Sequence, residues 1–399
     1  MKRLMILGGT RGLIPIIKEA RRLGCYVISC DYLPGNIAHK YSDEYCNVDL
    51  ADKEAVLMAA EKLNIDGVLT YATDYPLLDV AYVAEKLHLP CVGSFESVSI
   101  LQNKGRFRKF LSEHGFNVPA AKSYKSIEPA LEDAELFHWP VIVKPTDSSG
   151  SRGVTKVSHP GELKRSIEYA LSFSAGHEFI IEEFIQQKGY ASDSDCFSVD
   201  GELKFVSFNS QRFDTQAENP YAPAAYSWPT SMPVERQKEL ISELQRLITL
   251  LGLKSSIYNV ESREGTDGKV YIMEFSPRGA GNRIPECIER ATGVRLLENT
   301  VRAAVGMPIE GIEQKEVRGF WTQTVIHSYE DGIFKGLWID ESVRKNIVYI
   351  DIWVEPGEEV HSFSSLTGGM GLILFYFDSK DEWEAISERI SEYVRVILY

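Results

Sequence analysis

Strand and helix patterns alternate through the first third of the chain, and this alternation restricts the fold more than any other feature. "RLMILGG" reads as a buried strand, "IPIIKEARRLG" as a helix and "CYVISCDY" as a second strand. "ADKEAVLMAAEKLN" is then helical, "IDGVLTY" a strand, "PLLDVAYVAEKLH" a helix and "PCVG" a short strand. Parallel strands need a crossover long enough to hold a helix, so this spacing predicts a parallel sheet with helices on both faces. The helical stretch "VSILQNKGRFRKFLSEHG" closes the unit near Phe110, which gives a first domain at 1–110.

From "NVPAAKSY" the pattern changes to hairpins with short helices, an α+β rhythm that runs over 111–310. "WPVIVKP" and "GVTKV" flank a loop of small residues, and "EFIIEEFI" reads as a strand. "SDCFSVDGELKFVSFNS" turns at Asp200-Gly201, Asn209 to Thr230 is long and irregular, and "VERQKELISELQRLITLLG" is a helix. "SSIYNVESRE" and "KVYIMEFSPRG" are joined by "GTDG", the Asp-Gly signature of a tight hairpin turn. Residues 311–399 predict a small α+β unit, with strands at "WTQTVI", "YIDIWV" and "GLILFYF" and a closing helix "DEWEAISERISEYVRVIL".

Charge narrows the partners. The formal net charge of −14 argues against a nucleic-acid backbone, which requires basic patches. Six cysteines lie scattered, with no CxxC pair or zinc spacing, so reduced thiols are expected. The opening "MKRLMILGGTRG" has too short an apolar run for a signal peptide, and no stretch is long enough to span a bilayer. The expectation is a cytoplasmic protein with no membrane partner.

Three motifs carry chemistry. In "VIVKPTDSSGSRGVTKV", Lys144 precedes a loop whose small residues expose backbone N–H groups, a combination suited to phosphate. The order is the reverse of a Walker A loop, and strands on both flanks make it a hairpin loop able to close as a flap. Across the GTDG hairpin, Glu261 and Glu274 come onto one face, where two like charges repel unless a cation lies between them. A hard divalent ion answers that, while two solvated carboxylates on an exposed edge is the plainer alternative. Glu274, Ser276 and Arg278 point the same way along an extended chain. In "FIIEEFI", an apolar strand with Glu182 and Glu183 can offer backbone groups to an adenine edge, or simply be a half-buried edge strand. Gly8, Gly9 and Gly12 with Asp31 imitate a dinucleotide fingerprint, but the GxGxxG spacing is broken and a tight turn with close helix–sheet packing suffices.

The order Lys104, Lys144 with its Ser/Gly loop, Glu182-Glu183, Glu261 and "MEFSPRGAGNR", after a strand–helix domain, resembles the ATP-grasp superfamily. The resemblance is to the branch holding biotin carboxylase, the large chain of carbamoyl-phosphate synthetase and the amino-acid ligases. It implies an N-terminal parallel-sheet (pre-ATP-grasp) domain, a two-lobed ATP-grasp domain with its flap lobe at about 120–185, and a small C-terminal α+β domain. It implies ATP with Mg2+, or Mn2+ in its place. Lys144 would then contact the α-phosphate or adenine side and Lys104 would support it, while Ser149, Gly150, Ser151, Arg152 and Gly153 form the flap. Glu182 and the backbone at Ile185 would meet adenine, and Glu183 or Asp193 the ribose, because the family's Gly-x-Glu here reads Gly189-Tyr190-Ala191. Glu261 and Glu274 would bind metal, with Ser276 where the family commonly has Asn. Arg278, catalytic together with Lys144, would steady the transferring phosphoryl group or a substrate carboxylate.

The substrate side is expected at Thr73 and Asp74, which end a strand where open α/β sheets bind ligands, with Arg212, Arg278 and Arg283, and with Glu286 near them. The implied activity is a carboxylate–amine ligase working through an acyl phosphate and releasing ADP and phosphate. A carbamoyl-phosphate-synthetase-like, biotin-carboxylase-like or purine-pathway ligase acting on bicarbonate or a small acid is the alternative within enzymes. A catalytically lapsed ATP-binding protein is the alternative of another class. Small carboxylates and amines are the expected partners, and a homodimer the expected assembly.

Overall fold

The computed structural model describes residues 1–148, 150–365 and 368–399. Its first sheet is parallel throughout, in the order β3-β2-β1-β4, from β1 (Arg3–Leu7), β2 (Tyr26–Cys30), β3 (Glu44–Cys46) and β4 (Gly67–Leu69). Between them run α1 (Ile14–Arg22) and α2 (Lys53–Leu63), and α3 (Leu77–Lys86) follows β4. The side chains of β1 divide by parity, as the pleat requires. Leu4 and Ile6 pack with Ile16 and Ile17 of α1, and Met5 and Leu7 pack with Val56 and Ala60 of α2 and Val83 of α3. "PCVG" is not a strand: its Val92 carbonyl accepts from Lys254 N at 2.7 Å, which binds this turn to the next sheet.

The helical stretch that was expected to close the first unit is two helices, α4 (Phe95–Gln102) and α5 (Lys104–Glu113). Asn103 between them is extended, and its side chain accepts from Arg106 N at 2.9 Å, an N-cap that starts a new helix. Phe110 therefore lies inside α5, whose Phe107 and Leu111 pack with the second sheet and not with the first.

A small antiparallel sheet follows, ordered β5-β8-β6-β7, from β5 (Ala121–Tyr124), β6 (Val141–Pro145), β7 (Thr155–Val157) and β8 (Phe179–Glu183). Helices α6 (Ile127–Glu132) and α7 (Leu163–Leu171) cover one face, burying Leu163, Ile167 and Ala170 at helical spacing against Val141, Val143 and Ile181. Strands β6 and β7 pair antiparallel, so the Ser/Gly loop does join a hairpin.

The central antiparallel sheet, β10-β9-β13-β14, uses β9 (Ser192–Val199), β10 (Glu202–Val206), β13 (Ser256–Glu264) and β14 (Val270–Ser276). The turn between β9 and β10 places Asp200 and Gly201 at φ 50° and 83°, the left-handed pair of a tight hairpin. Before β13 the chain forms β11 (Ser210–Phe213), β12 (Pro223–Trp228) and α8 (Val234–Leu250). Leu240, Leu244 and Leu247 of α8 are fully buried against the central sheet, each contributing about 2 kcal/mol.

After α9 (Ile284–Thr292), α10 (Leu296–Ala304) returns to the first sheet, where Leu297 and Val301 pack beside α1. A fourth sheet, β11-β12-β15-β19-β17, adds β15 (Phe320–Ile326), β17 (Ile347–Ile352) and β19 (Gly371–Phe377), and a fifth, β18-β16-β20, uses β16 (Gly332–Ile339), β18 (Glu359–Val360) and β20 (Val394–Leu398). Short helices α11 (Glu341–Arg344), α12 (Lys380–Ser387) and α13 (Ile390–Tyr393) complete the chain. Two readings change here. The supposedly irregular segment at Asn209–Thr230 holds β11 and β12, with β12 buried along its whole length, so it shares a sheet with the chain beyond 311. "VRVIL", expected to end a helix, is β20, whose β-branched alternation pairs with β16. Among the described residues, no helix is long and apolar enough to cross a membrane.

Candidate active site

Two cavities meet at the central sheet. The first, about 520 Å3, is lined by Lys104, Lys144, the flap and the segment after β8. The second, about 460 Å3, is lined by the loops after β1 and β4 and the chain following β14. Gly150, Ser151, Arg152, Gln211, Glu261 and Glu274 line both, so these residues form the common wall.

On the first side, Lys144 of β6 is buried and paired with Glu182 of β8, which also accepts from Arg108 Nε at 3.0 Å. Burial drives the Lys144 ammonium below its usual range despite Glu182, and the two cations hold the Glu182 carboxyl down at about 2 against its own desolvation. Glu182 was expected at adenine, but its carboxylate is committed to Lys144 and Arg108. It lines the cavity as the anchor of the lysine. Lys104 Nζ donates to the Ser148 carbonyl at 2.6 Å, fixing the base of the flap. Gly150, Ser151 and Gly153 take φ values of 67°, 59° and 72°, in the left-handed region that glycine enters at least cost. Ser149, expected in this loop, lies outside the described residues. Ile185 and Glu183 line the cavity, and Glu183 Oε1 receives His138 Nδ1 at 2.7 Å.

At the common wall Glu261 and Glu274 are direct register partners on β13 and β14, and Asp193 of β9 is Glu261's partner on the other side. A row of three carboxylates thus crosses three strands on one face. Two residues along, Asp195, Asn259 and Ser276 form a parallel row. Burial, with the Glu261 charge beside it, pushes Asp193 up to about 7. Asn259 Nδ2 donates to Asp193 Oδ1 at 2.7 Å, and Arg263 Nη2 donates to Glu261 Oε1 at 2.8 Å. Among the described residues, no three His, Cys, Asp or Glu side chains converge as a ready-made metal cage. Ser276, expected as a metal ligand, donates its hydroxyl to Asp74 Oδ1 at 2.6 Å and so points to the first domain.

Asp74 also receives Arg278 Nε and Nη2, both at 2.9 Å, while Arg278 Nη1 donates to Asn259 Oδ1 at 2.8 Å. This fork locks the loop after β4 to the strand carrying the glutamates. Against the cost of burial, Arg278 holds the Asp74 carboxyl below its usual range and Asp74 raises the guanidinium, so both are charged. Arg278 is therefore anchored by Asp74 before any substrate arrives.

The rest of the second cavity gathers strained backbone: Ala72, Asn282 and Arg283 have φ of 58°, 51° and 55°. Thr73 lines it beside Asp74. Arg283 gives Nη2 to Asp351 Oδ2 at 2.8 Å and lies 5.1 Å over the Tyr349 ring, so the chain beyond 311 closes this side. Arg212 is in neither cavity. Its guanidinium binds Glu388 at 2.8 Å and the Tyr190 hydroxyl at 2.9 Å, which removes it from the expected substrate set. The Gly8–Gly12 turn is one of packing: a Cβ on Gly9 would lie 2.6 Å from Asn36 Cβ. Asp31 spends its carboxylate on Leu33 N and the Asn36 side chain.

Sequence reading missed Arg108, Asp195, Asn259 and Asp351, and expected Asp193 at the ribose and not beside Glu261. Asn259 had a signal, since it lies an even step from a predicted hairpin glutamate. Arg108 and Asp351 had none, because only tertiary packing brings them here.

Comparison with known families matches residues 137–286 to the ATP-grasp domain, the segment that carries Lys144, Glu182, Glu261 and Glu274. The formate-dependent phosphoribosylglycinamide formyltransferase of Bacteroides thetaiotaomicron is 26% identical over 406 residues, covering 99% of this chain and all of that one. Among solved structures, an L-amino acid ligase from Bacillus licheniformis has a TM-score of 0.83 at 22% identity, covering 100% of this chain and 99% of its own. A biotin carboxylase domain of the Hydrogenobacter thermophilus 2-oxoglutarate carboxylase, solved with MgADP and bicarbonate, has a TM-score of 0.74 at 16% identity, covering 99% and 90%. The last two share the fold. Residues 137–286 thus match the ATP-grasp domain, and the chain is similar along its whole length to a formate-dependent phosphoribosylglycinamide formyltransferase.

Proposed function

We propose that the protein phosphorylates a carboxylate with Mg-ATP to an acyl phosphate and joins the acyl group to an amine, releasing ADP and phosphate. One observation carries this: Glu261 and Glu274, paired in register, stand on the wall between a cavity bearing buried lysine and a Gly-rich flap and a second cavity rich in polar groups. That is where a triphosphate tail from one side meets an acid from the other. The donor set is two carboxylates on adjacent strands, hard oxygens of the kind magnesium takes, and phosphate oxygens and water complete such a shell.

In this reading Lys144, fixed by Glu182, and Lys104, at the flap base, offset phosphate charge, and the backbone at Gly150–Gly153 closes over it. Ile185 offers its backbone to the adenine edge. A bound magnesium ion lowers the repulsion between an anionic acid and an anionic phosphoryl group. Arg278, held by Asp74 and Asn259, presents a fixed positive charge to the acid, and Ser276 serves this fork and not the metal. Flap closure keeps water from the acyl phosphate until the amine arrives. The full-length match to a formate-dependent formyltransferase favours a second reading, in which the acid is as small as formate and the amine sits on a larger molecule.

The test is incubation with Mg-ATP and defined pools of amino acids, small carboxylates and amines, followed by chromatography of the nucleotides. ADP and phosphate that depend on a pool support the ligase. AMP and pyrophosphate mean adenylation and overturn it.

A further inference from the structure

Glu286, the third residue of α9, lines the second cavity and has only a long ion pair with Arg283 among the described residues. Its Oε2 is buried and accepts no hydrogen bond among the described residues, while Oε1 is 3.7 Å from Arg283 Nη1. Arg283 reserves its short contact for Asp351 on β17, at 2.8 Å. A buried carboxylate oxygen with nothing to accept from is costly, and such a group persists where a ligand completes it. The same chamber reaches Glu261 and Glu274, so a molecule seated at Glu286 shares a space with the phosphorylated acid.

We propose that Glu286 receives the acceptor amine and takes its proton as the nitrogen attacks the acyl phosphate. This rests on the ligase reading above. The C–N bond forms, the bond from the carbonyl carbon to the bridging phosphate oxygen breaks, phosphate leaves with that electron pair, and the nitrogen's proton passes to a Glu286 oxygen.

The charged and titratable groups around Glu286 leave it suited to this work. Arg283, just before α9, and Glu289 on it face Glu286, as do Asp351 from β17 and Tyr71 from the loop after β4. Burial pushes its carboxyl up to about 7, with Arg283 opposing and Glu289 and Asp351 adding to the rise. A base that titrates near neutrality is both available as the anion and basic enough to accept a proton. Asp193, also raised, is bonded to Asn259 and lies beside Glu261, which assigns it to the cation side of the wall.

The experiment is a competition. The protein is given Mg-ATP, the twenty amino acids with formate and acetate as acids and acceptors, and hydroxylamine, which is largely uncharged at neutral pH and needs no base. Amides are read by mass spectrometry and acyl hydroxamates by their iron complex. In Glu286→Gln the ratio of amide to hydroxamate falls about a hundredfold or more, and Glu286→Asp recovers part of it. The wild-type ratio rises with pH through about 7 beyond the rise due to the free amine alone, and Glu286→Gln loses that component. An unchanged ratio, or an equal loss of both products, overturns the proposal, because a structural or acid-binding role moves both together. If wild-type protein forms neither product, the ligase reading fails and takes this proposal with it. Hydroxamate without amide from the wild type would retain the first reaction step and refute the amine site.

Discussion

Replacing Glu182 with Gln removes the single negative charge that two buried cations share. The Arg108 and Lys144 side chains are 4% and 12% exposed, and Arg108 Nη1 and Nη2 already lack partners among the described residues. Removing one member of a buried ion pair costs about 3–5 kcal/mol, since the remaining charge stays desolvated. The carboxyl itself leads to a similar figure: its fall from 4.5 to about 2 corresponds to about 3 kcal/mol. Against a total stability of roughly 5–15 kcal/mol this is a large fraction. Because the folded pKa lies below the unfolded one, Glu182's contribution is complete above about 4.5 and is lost as pH falls towards 2. Urea titrations followed by circular dichroism at several pH values therefore show a gap of about 3 kcal/mol between wild type and variant at pH 7. The gap narrows once pH drops below 4.5. A variant within about 0.5 kcal/mol of wild type at pH 7, or a gap indifferent to acid, refutes the reasoning.

Glu261→Gln and Glu274→Gln each abolish the rise in melting temperature produced by Mg-ATP, which for wild type at a hundredfold excess over Kd corresponds to about 2.7 kcal/mol. A variant still protected by Mg-ATP contradicts the metal assignment. Ser276→Ala loses about 1.5–3 kcal/mol through the bond to Asp74 yet keeps Mg-ATP protection, and loss of protection would return the serine to the metal. In the flap, Gly150→Ala meets nothing within 4 Å and carries only left-handed strain of about 1 kcal/mol. Gly153→Ala adds contacts of 3.1 Å with Pro145 and 3.2 Å with Phe173, and so is the more destabilising of the two in thermal melts.

The parts of the site legible in the sequence are those whose geometry is local. The Asp-Gly turn and the alternation on either side mark the hairpin, while the pairing of Glu261 with Glu274 comes from a bulge between Glu261 and Ser262 that shifts the register set at the turn. The flap hairpin is legible for the same reason. What escaped was set by residues far apart in the chain. Ser276 and Arg278 looked like ligands in waiting because Asp74, about two hundred residues earlier, does not enter a local reading. Arg212 sits in a loop that looked functional, but Pro223 and the Ala pair of low strand propensity concealed β12, and its neighbour β11 turned the arginine to Glu388. Phe110 failed as a boundary because an Asn N-cap inside an apolar helical pattern was read through.

The central claim is that the acid is phosphorylated, and oxygen labelling tests it most directly. With Mg-ATP, amine and a carboxylate labelled with 18O in both oxygens, the bond that breaks is between carbonyl carbon and the bridging oxygen, so one labelled oxygen leaves with the phosphate. The account predicts inorganic phosphate carrying one 18O for each amide formed. Unlabelled pyrophosphate beside labelled AMP would show that the acid attacks the α-phosphorus, and the site would then need to be read again from Lys144 outward.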